Sequence, residues 1–239
     1  MTFATGLRKA LDLRRRDVVS ELRRGDSLED ILNRHLLTVE EMSDREILTS
    51  VLILSADGKR LTHGAAPSLP RQYREAIDGS EIGPSAGSCG TAAYLGRPVY
   101  VTDIATDPLW AAYRDLALPH GLRACWSTPV RQSGGEVMGT FAIYHRSLTG
   151  PTADELRLIE VITDNVAQAI TWARNPDAGI QAPDVLSRQV AALQALAAAI
   201  AQQAPALDAE GQEAIEAVVK GSGKLAQCVG RRIGELQQN

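Results

Sequence analysis

Apolar residues at helical spacing begin the chain. Leu7, Leu11, Val18 and Leu22 recur with charged residues between them. A stripe of this kind predicts an amphipathic helix over residues 3–24. Gly25 follows directly, and glycine is a common residue at the end of a helix. The pattern therefore places a separate N-terminal helix in residues 1–25.

A second helix and the first two strands are predicted next. Ser27-Leu28-Glu29-Asp30 carries an acid three positions after a serine, as helix starts often do, and an apolar stripe follows it. Ile47–Leu54 is a β-branched and aliphatic run of strand length, and Asp57-Gly58 after it is a strong hairpin signal. Residues 60–63 are therefore expected to return as the second strand.

The middle of the chain mixes helices and strands. Helices are predicted over 70–77, 89–95, 111–116 and 152–173, and strands over 98–102, 122–130 and 137–145. Ser133-Gly134-Gly135 joins the last two strands as a hairpin turn. Consecutive strands joined by tight turns pair in antiparallel fashion. The fold class is therefore α+β, with an antiparallel sheet flanked by helices.

The C-terminal part is predicted to be helical again. Residues 175–183 contain two prolines and read as a linker after a domain that spans residues 26–174. Beyond the linker, apolar residues step by four and three from Leu186 to Ile200 and from Ile215 to Leu236. Residues 184–239 are therefore expected to form a helical hairpin that serves dimerisation or partner binding.

Composition narrows the class of protein. The net charge of −4 gives the chain no overall attraction to phosphate backbones, so no nucleic-acid partner is expected. The longest apolar stretch, residues 195–201, is far shorter than the roughly 20 residues of a membrane span. Three cysteines are too few and too scattered for a secreted disulfide framework. A cytoplasmic location is expected, with no membrane partner.

Several short motifs follow one another in a recognisable order. They are Ile82-Gly83-Pro84, Gly87-Ser88-Cys89-Gly90-Thr91-Ala92, Asp107-Pro108-Leu109-Trp110, Ala124-Cys125-Trp126-Ser127-Thr128-Pro129 and Gly139-Thr140-Phe141-Ala142. In this order they resemble the GAF domains of bacterial sensor kinases and cyclic-dinucleotide signalling proteins. The resemblance extends more weakly from about residue 27 to residue 172.

The resemblance implies a six-stranded antiparallel sheet with helices from both chain ends on one face. The other face would hold a ligand pocket, covered by the loops and short helices of residues 65–121. Candidate lining residues are Cys89, Thr91, Trp110, Tyr113, Cys125 and Trp126. Alternation places Cys125 and Trp126 on opposite faces of one strand, and the sequence leaves open which of them faces the pocket.

The sequence leaves the identity of a cofactor open. Related domains attach tetrapyrroles through a cysteine in the loop that corresponds here to residues 107–121, which has none. The four histidines, His35, His63, His120 and His145, show no metal-ligand spacing. The glycine-rich residues 83–90 precede a helix, and their backbone N–H groups could bind a nucleotide phosphate. No Walker-type lysine follows them, so a role in shaping a turn is favoured.

Thiol chemistry is the main alternative to ligand sensing. Cys89 stands in a Cys-Gly-Thr-Ala context similar to that of the free methionine-R-sulfoxide reductases, which share the GAF fold. Those enzymes carry their catalytic cysteine in the loop corresponding to residues 103–121, where this chain has no cysteine. The sequence therefore favours a non-enzymatic sensory module that acts as a homodimer. A redox switch or reductase using Cys89 and Cys125 is one alternative, and a structural scaffold with an empty pocket is another.

Overall fold

Two long helices of the first unit begin where the sequence supplies a capping side chain. Helix α1 spans Phe3–Arg23 and α2 spans Leu28–Glu41, and the backbone N–H of Asp30 donates to Ser27 Oγ at 3.1 Å. The long helix Ala153–Arg174, α6 in chain order, begins with a capping box between Thr152 and Glu155. These starts lie where the sequence predicts them.

The computed structural model describes residues 3–175, 217, 219–224 and 227. The chain divides into two compact units, residues 1–175 and 176–239. In the second unit, the described residues are helical. The predicted linker beyond residue 175 and most of the predicted C-terminal hairpin lie outside the described residues, and both stay predictions.

A single antiparallel sheet forms the centre of the first unit. Its strands are β1 Ile47–Leu54, β2 Arg60–Ala65, β3 Ser80–Glu81, β4 Val99–Val101, β5 Ala124–Arg131 and β6 Val137–His145. They lie in the order β3-β2-β1-β6-β5-β4. The two predicted hairpins, β1–β2 and β5–β6, are both formed. The predicted α+β fold with a six-stranded antiparallel sheet is confirmed.

Helices α1, α2 and α6 pack together on one face of the sheet. The apolar stripe of α1 is buried within the chain, since Leu7, Leu11 and Val18 are at most 4% exposed. The side-chain amide of Asn165 on α6 donates to the backbone oxygen of Leu11 at 3.2 Å. The N-terminal helix is therefore part of the first unit, and its main stripe needs no partner from a second chain.

Short helices cover the opposite face. They are α3 Arg71–Ile77, α4 Gly87–Leu95, a 3₁₀ turn Pro108–Trp110, α5 Arg114–Ala117 and a 3₁₀ turn Leu118–His120. Helix α4 packs across β4, β5 and β6. The helix predicted over 111–116 begins instead at Arg114, after the Pro108–Trp110 turn, and ends at Ala117, two residues before Pro119, which has no N–H to continue a helix. We call residues 65–121 the roof segment.

Candidate functional site

A small pocket lies between the sheet and the roof segment. Its cavity volume is about 30 Å³, enough for about one water molecule. The walls combine aliphatic, aromatic and a few polar side chains: Leu52, Leu61, Tyr73, Ile77, Ser80, Glu81, Ser88, Cys89, Trp110, Tyr113 and Tyr144. The side chain of Glu81, the charged residue of this lining, pairs with Arg60 at 2.5 Å.

The start of α4 fixes the inner wall of the pocket. Gly87 opens the helix at φ +61°, a conformation that favours glycine, and lies beside the rings of Trp110 and Tyr113. Thr91 Oγ1 accepts a hydrogen bond from the backbone N–H of Ala86 at 3.0 Å. Thr91 is therefore buried beneath the loop and holds its shape, and it does not line the cavity.

A chain of two hydrogen bonds joins the roof segment to the sheet. Trp110 Nε1 donates to Ser88 Oγ at 3.1 Å, and Ser88 Oγ donates to the backbone oxygen of Cys125 at 2.9 Å. All three residues are buried. Because every donor and acceptor in this chain is paired, the indole ring of Trp110 is held in one orientation over the cavity. Tyr113 lies beside it and is half-buried.

The two cysteines of the predicted site lie together under α4. Cys89 lines the pocket, and its Sγ is 3.9 Å from Tyr144 Oη. Tyr144 is the cross-strand partner of Cys125, so all three side chains meet on one face of the sheet. Both thiols are free and buried. The structure thus brings Cys89, Cys125, Trp110 and Tyr113 into one region.

Several hydroxyl groups surround the Cys89 sulfur. A hydrogen bond from the Cys125 thiol is the main cause that lowers the pKa of Cys89 to about 7, and Ser127, Tyr144 and Thr140 act in the same direction against burial. The hydroxyls of Ser127 and Thr140 are buried without a hydrogen-bond partner. Burial and the neighbouring Cys89 raise the pKa of Cys125 well above its ordinary value. The protein thereby makes the two thiols chemically different.

Trp126 lies on the opposite face of the sheet from the pocket. Its ring contacts that of His145 at a centroid distance of 4.2 Å, and its Nε1 donates to the Thr149 oxygen at 3.0 Å. Both rings line a separate cavity of about 40 Å³ beneath α1 and α6. Burial lowers the pKa of His145 to about 4. Strand alternation separates Trp126 from Cys125, as the sequence indicates, and it is Cys125 that faces the roof segment.

The sequence does not mark several site residues, among them Tyr73, Ser88, Thr140 and Tyr144. Tyr144 and Thr140 share a strand face, and the pairing of Cys125 with Tyr144 places them next to the thiols. A sequence gives the alternation along each strand but not this register between strands. Tyr73 reaches the site from α3, and its ring packs edge-on against Tyr144 at 5.8 Å.

Within residues 3–175 and the few described residues after them, no three His, Cys, Asp or Glu side chains are placed to hold a metal ion. In the same part of the chain, no helix combines the length and the apolar character that crossing a bilayer would take.

Comparison with known proteins decides the family. The GAF domain profile matches residues 25–171, more than half of the chain. The chain belongs to the GAF domain family. A methyl sulfide methyltransferase-associated sensor from Methanosarcina acetivorans is 37% identical over 161 residues, which are 67% of this chain. The match takes up only 16% of that sensor's length.

Solved structures show the same fold. A free methionine-R-sulfoxide reductase from Neisseria meningitidis superposes on this GAF protein with a TM-score of 0.57 at 17% identity, covering 74% of this chain and 95% of the reductase. The GAF domain of an Acinetobacter phosphoenolpyruvate-protein phosphotransferase gives 0.52 at 15% identity, covering 71% of this chain and 98% of that domain. At these identities the likeness concerns the fold alone.

Proposed function

We propose that this GAF protein is a sensory or regulatory module that binds a small ligand in the pocket under the roof segment. The observation that carries the proposal is the hydrogen-bonded chain from Trp110 through Ser88 to Cys125. It holds an aromatic wall over a concave, mostly apolar surface with a few polar groups, which is the usual make-up of a small-molecule site.

The size of the cavity bears on how a ligand enters. About 30 Å³ accommodates a water-sized molecule, so any larger ligand requires the roof segment to move. Tyr113 is half-buried and directly precedes the four-residue helix α5. Short elements rearrange at low cost, so Tyr113 is the proposed moving wall, whereas Trp110 stays held by its hydrogen bond to Ser88.

The charge of the lining bears on the ligand class. Among the described residues, the lining includes the carboxylate of Glu81 and no basic side chain. A phosphate group would therefore find no free cation in that lining, because Arg60 outside it is already paired with Glu81, and this disfavours cyclic nucleotides. The pocket fits a neutral or cationic ligand that offers apolar surface to Trp110, Tyr113, Tyr73 and Tyr144.

A signal would leave the pocket through helices. Strands β5 and β6 carry Cys125 and Tyr144 on the pocket face and contact α6 on the other face. A shift at the pocket can therefore change the packing of α6, which leads into the C-terminal segment. We propose that this segment carries the signal through homodimerisation or partner binding in the cytoplasm. The sensor relative, in which the matched region is one part of a much longer protein, supports a modular sensory role.

The reductase alternative is less favoured. The residues between Asp103 and Gly121 contain no cysteine, although the resemblance to the reductases implies a catalytic one there. A turnover assay with free methionine sulfoxide and a thiol reductant would decide the point, and absence of turnover would leave the sensory proposal in place.

A ligand screen by thermal shift tests the proposal. A metabolite that raises the unfolding temperature of the wild-type protein is expected to lose most of that effect in Trp110→Phe and Ser88→Ala. The matched control is Trp126→Phe, which changes the same residue type on the opposite face of the sheet. The proposal fails if ligands act equally on all variants, or if native mass spectrometry and a broad screen find no ligand at all.

A further inference from the structure

The thiols of Cys89 and Cys125 meet where α4 crosses β5. Ser88 Oγ donates to the Cys125 backbone oxygen at 2.9 Å, and Cys89 is the next residue along α4. The Cys89 sulfur lies 3.9 Å from Tyr144 Oη, and Tyr144 pairs with Cys125 across the strands. The two thiols therefore lie in one buried cluster between α4 and the sheet, and both are free.

The surroundings of this pair are more polar than packing alone requires. If Cys89 and Cys125 served only as small buried apolar side chains, apolar neighbours would be sufficient. Instead, the hydroxyls of Ser127 and Thr140 lie beside Cys89 without an acceptor of their own, and Tyr144 adds a third. Leaving buried hydroxyls without a partner costs free energy. A sulfur that becomes negatively charged would supply the missing acceptor.

Only one of the two thiols is within reach of a dissolved molecule. Cys89 lines the pocket, whereas Cys125 lies behind it and is fully buried. The cavity of about 30 Å³ suits a molecule of about the size of water. Hydrogen peroxide is only slightly larger than water, whereas an aralkyl hydroperoxide such as cumene hydroperoxide is several times larger. The geometry therefore orders the pair: Cys89 meets the oxidant and Cys125 reacts second.

The proton affinities follow the same order. The Cys125 thiol and the neighbouring hydroxyls favour the charged form of Cys89 and lower its pKa to about 7, and burial raises the pKa of Cys125. Cys89 is also in the first turn of α4, where backbone N–H groups favour negative charge. At neutral pH the thiolate, which is the reactive form, is thus more populated on Cys89 than on Cys125.

We infer that Cys89 is a modification site for hydrogen peroxide and that Cys125 captures the oxidised sulfur as an intramolecular disulfide. In the first step the Cys89 thiolate attacks one peroxide oxygen, the O–O bond breaks, and the hydroxide released takes a proton to become water. Cys89 is oxidised to a sulfenic acid, and the peroxide is reduced.

The second step consumes the Cys125 thiol. Its sulfur attacks that of Cys89, the S–O bond breaks, and the leaving hydroxide takes the Cys125 proton to form a second water. In sum, two thiols and one hydrogen peroxide give one disulfide and two waters. The disulfide would tie α4 to β5 at the wall of the pocket. This inference does not depend on ligand binding, so either can fail without the other.

Peptide mapping of the full chain tests the inference. Cys228→Ser serves as the parent, because it leaves Cys89 and Cys125 as the two thiols. The folded protein is treated with hydrogen peroxide and is then alkylated under denaturing conditions. Trypsin is expected to release residues 75–114 and 124–131 joined by a disulfide. In Cys125→Ser, a sulfenic acid on Cys89 should accumulate and react with a 1,3-diketone trap. In Cys89→Ser, Cys125 should remain a free thiol.

The size of the oxidant gives a second, independent measurement. Cumene hydroperoxide is expected to oxidise Cys89 at least about tenfold more slowly than hydrogen peroxide, because it is too large for a cavity of about 30 Å³. Equal rates would overturn the route through the pocket. The inference is also overturned if the linked peptides do not form, or if Cys125 is oxidised as fast in Cys89→Ser as in the parent. Circular dichroism checks folding, and a serine variant that does not fold is replaced by the alanine variant at the same position.

Discussion

Trp110 and Ser88 lie 22 positions apart in the sequence and are joined by a buried hydrogen bond, Nε1 to Oγ at 3.1 Å. Ser88 is at once the acceptor for Trp110 and the donor to the Cys125 backbone oxygen. One hydroxyl group thus links the turn Pro108–Trp110, helix α4 and strand β5. Removing it should have consequences in all three.

Ser88→Ala is expected to destabilise the protein more than Trp110→Phe. The serine variant leaves a buried indole N–H and a buried carbonyl oxygen without partners, at a cost of about 1–3 kcal/mol. The phenylalanine variant removes the donor itself, and the hydroxyl keeps its bond to Cys125. Urea unfolding of both single variants and the double variant measures the coupling. Strictly additive effects would contradict a shared hydrogen bond.

Gly90→Ala is expected to disturb the α4 loop. A Cβ at this position would lie 2.6 Å from the Cβ of Ala86 and 3.3 Å from the backbone oxygen of Glu81. Both contacts involve atoms fixed to the backbone, so the loop must shift, at a cost of about 1–3 kcal/mol. Gly134→Ala is the matched control, since nothing lies within 4 Å of its added Cβ. Equal thermal stability of the two variants would disprove the close approach.

Glu21→Ala is expected to loosen α1 from α2. The Glu21 carboxylate is buried, with 5% of its side chain exposed, and accepts hydrogen bonds from Arg14 at 2.8 Å and Arg34 at 3.1 Å. Its removal takes one of two carboxylate partners from each arginine, leaving Arg14 with Asp17 at 3.4 Å and Arg34 with Asp26 at 2.6 Å, at a cost of about 2 kcal/mol. Glu46→Ala breaks an exposed pair with Arg146 and should change the free energy of unfolding by less than about 0.5 kcal/mol. Denaturant titration of the two variants measures both changes in the free energy of unfolding.

Acid should destabilise the protein through His35. Burial, with a contribution from Arg14, lowers the pKa of His35 from 6.5 to about 4. Between these values the unfolded chain binds a proton that the folded chain does not, so stability falls as the pH decreases from about 6.5 to 4. Above pH 6.5 both states are neutral and this effect is absent. Below pH 4 the full effect is reached, and the free energy of unfolding is then lower by about 3 kcal/mol.

The variant His35→Leu isolates this effect. Its stability at pH 7 reports only the change in packing, whereas its slope between pH 6.5 and 4 should be flatter than that of the wild type. Unfolding curves at several pH values give both quantities. A slope identical to that of the wild type would show that His35 does not take up a proton on unfolding.

The C-terminal segment is expected to assemble two chains. Sedimentation at micromolar concentration should give a dimer, and Leu193→Asp should dissociate it, because a charge in an apolar seam of the predicted C-terminal hairpin is costly. Leu148→Asp changes an exposed leucine in the loop before α6 and serves as the control. A wild-type monomer, or a Leu193→Asp dimer of unchanged mass, would contradict the prediction.

Local chemistry made much of the fold predictable. The Thr152 capping box, the strand Ile47–Leu54 and the Asp57-Gly58 hairpin are set by neighbouring residues, and the structure has each of them where the pattern indicates. The site was harder to predict because it depends on register. Alternation separates Cys125 from Trp126, but only the pairing with β6 places Tyr144 beside the thiol.

The roles of Ser88 and Thr91 show a second limit. Both belong to the motif by which the family was recognised, and both are polar residues at the start of α4. The sequence pointed to Thr91 as a ligand contact, whereas its hydroxyl is engaged by the Ala86 N–H and that of Ser88 faces the cavity. Within a helix turn, the direction of each side chain depends on where the helix begins, here two residues before the expected start.

The edges of the sheet have a consequence for self-association. β3 and β4 are the outer strands and contain only two and three residues. Such short borders expose few free amide and carbonyl groups, so two copies have little backbone with which to extend one sheet into another. Fibril-like stacking of folded molecules is therefore disfavoured at both borders. Any specific contact between copies has to be made by side chains, whose sequence can be tuned without altering the sheet.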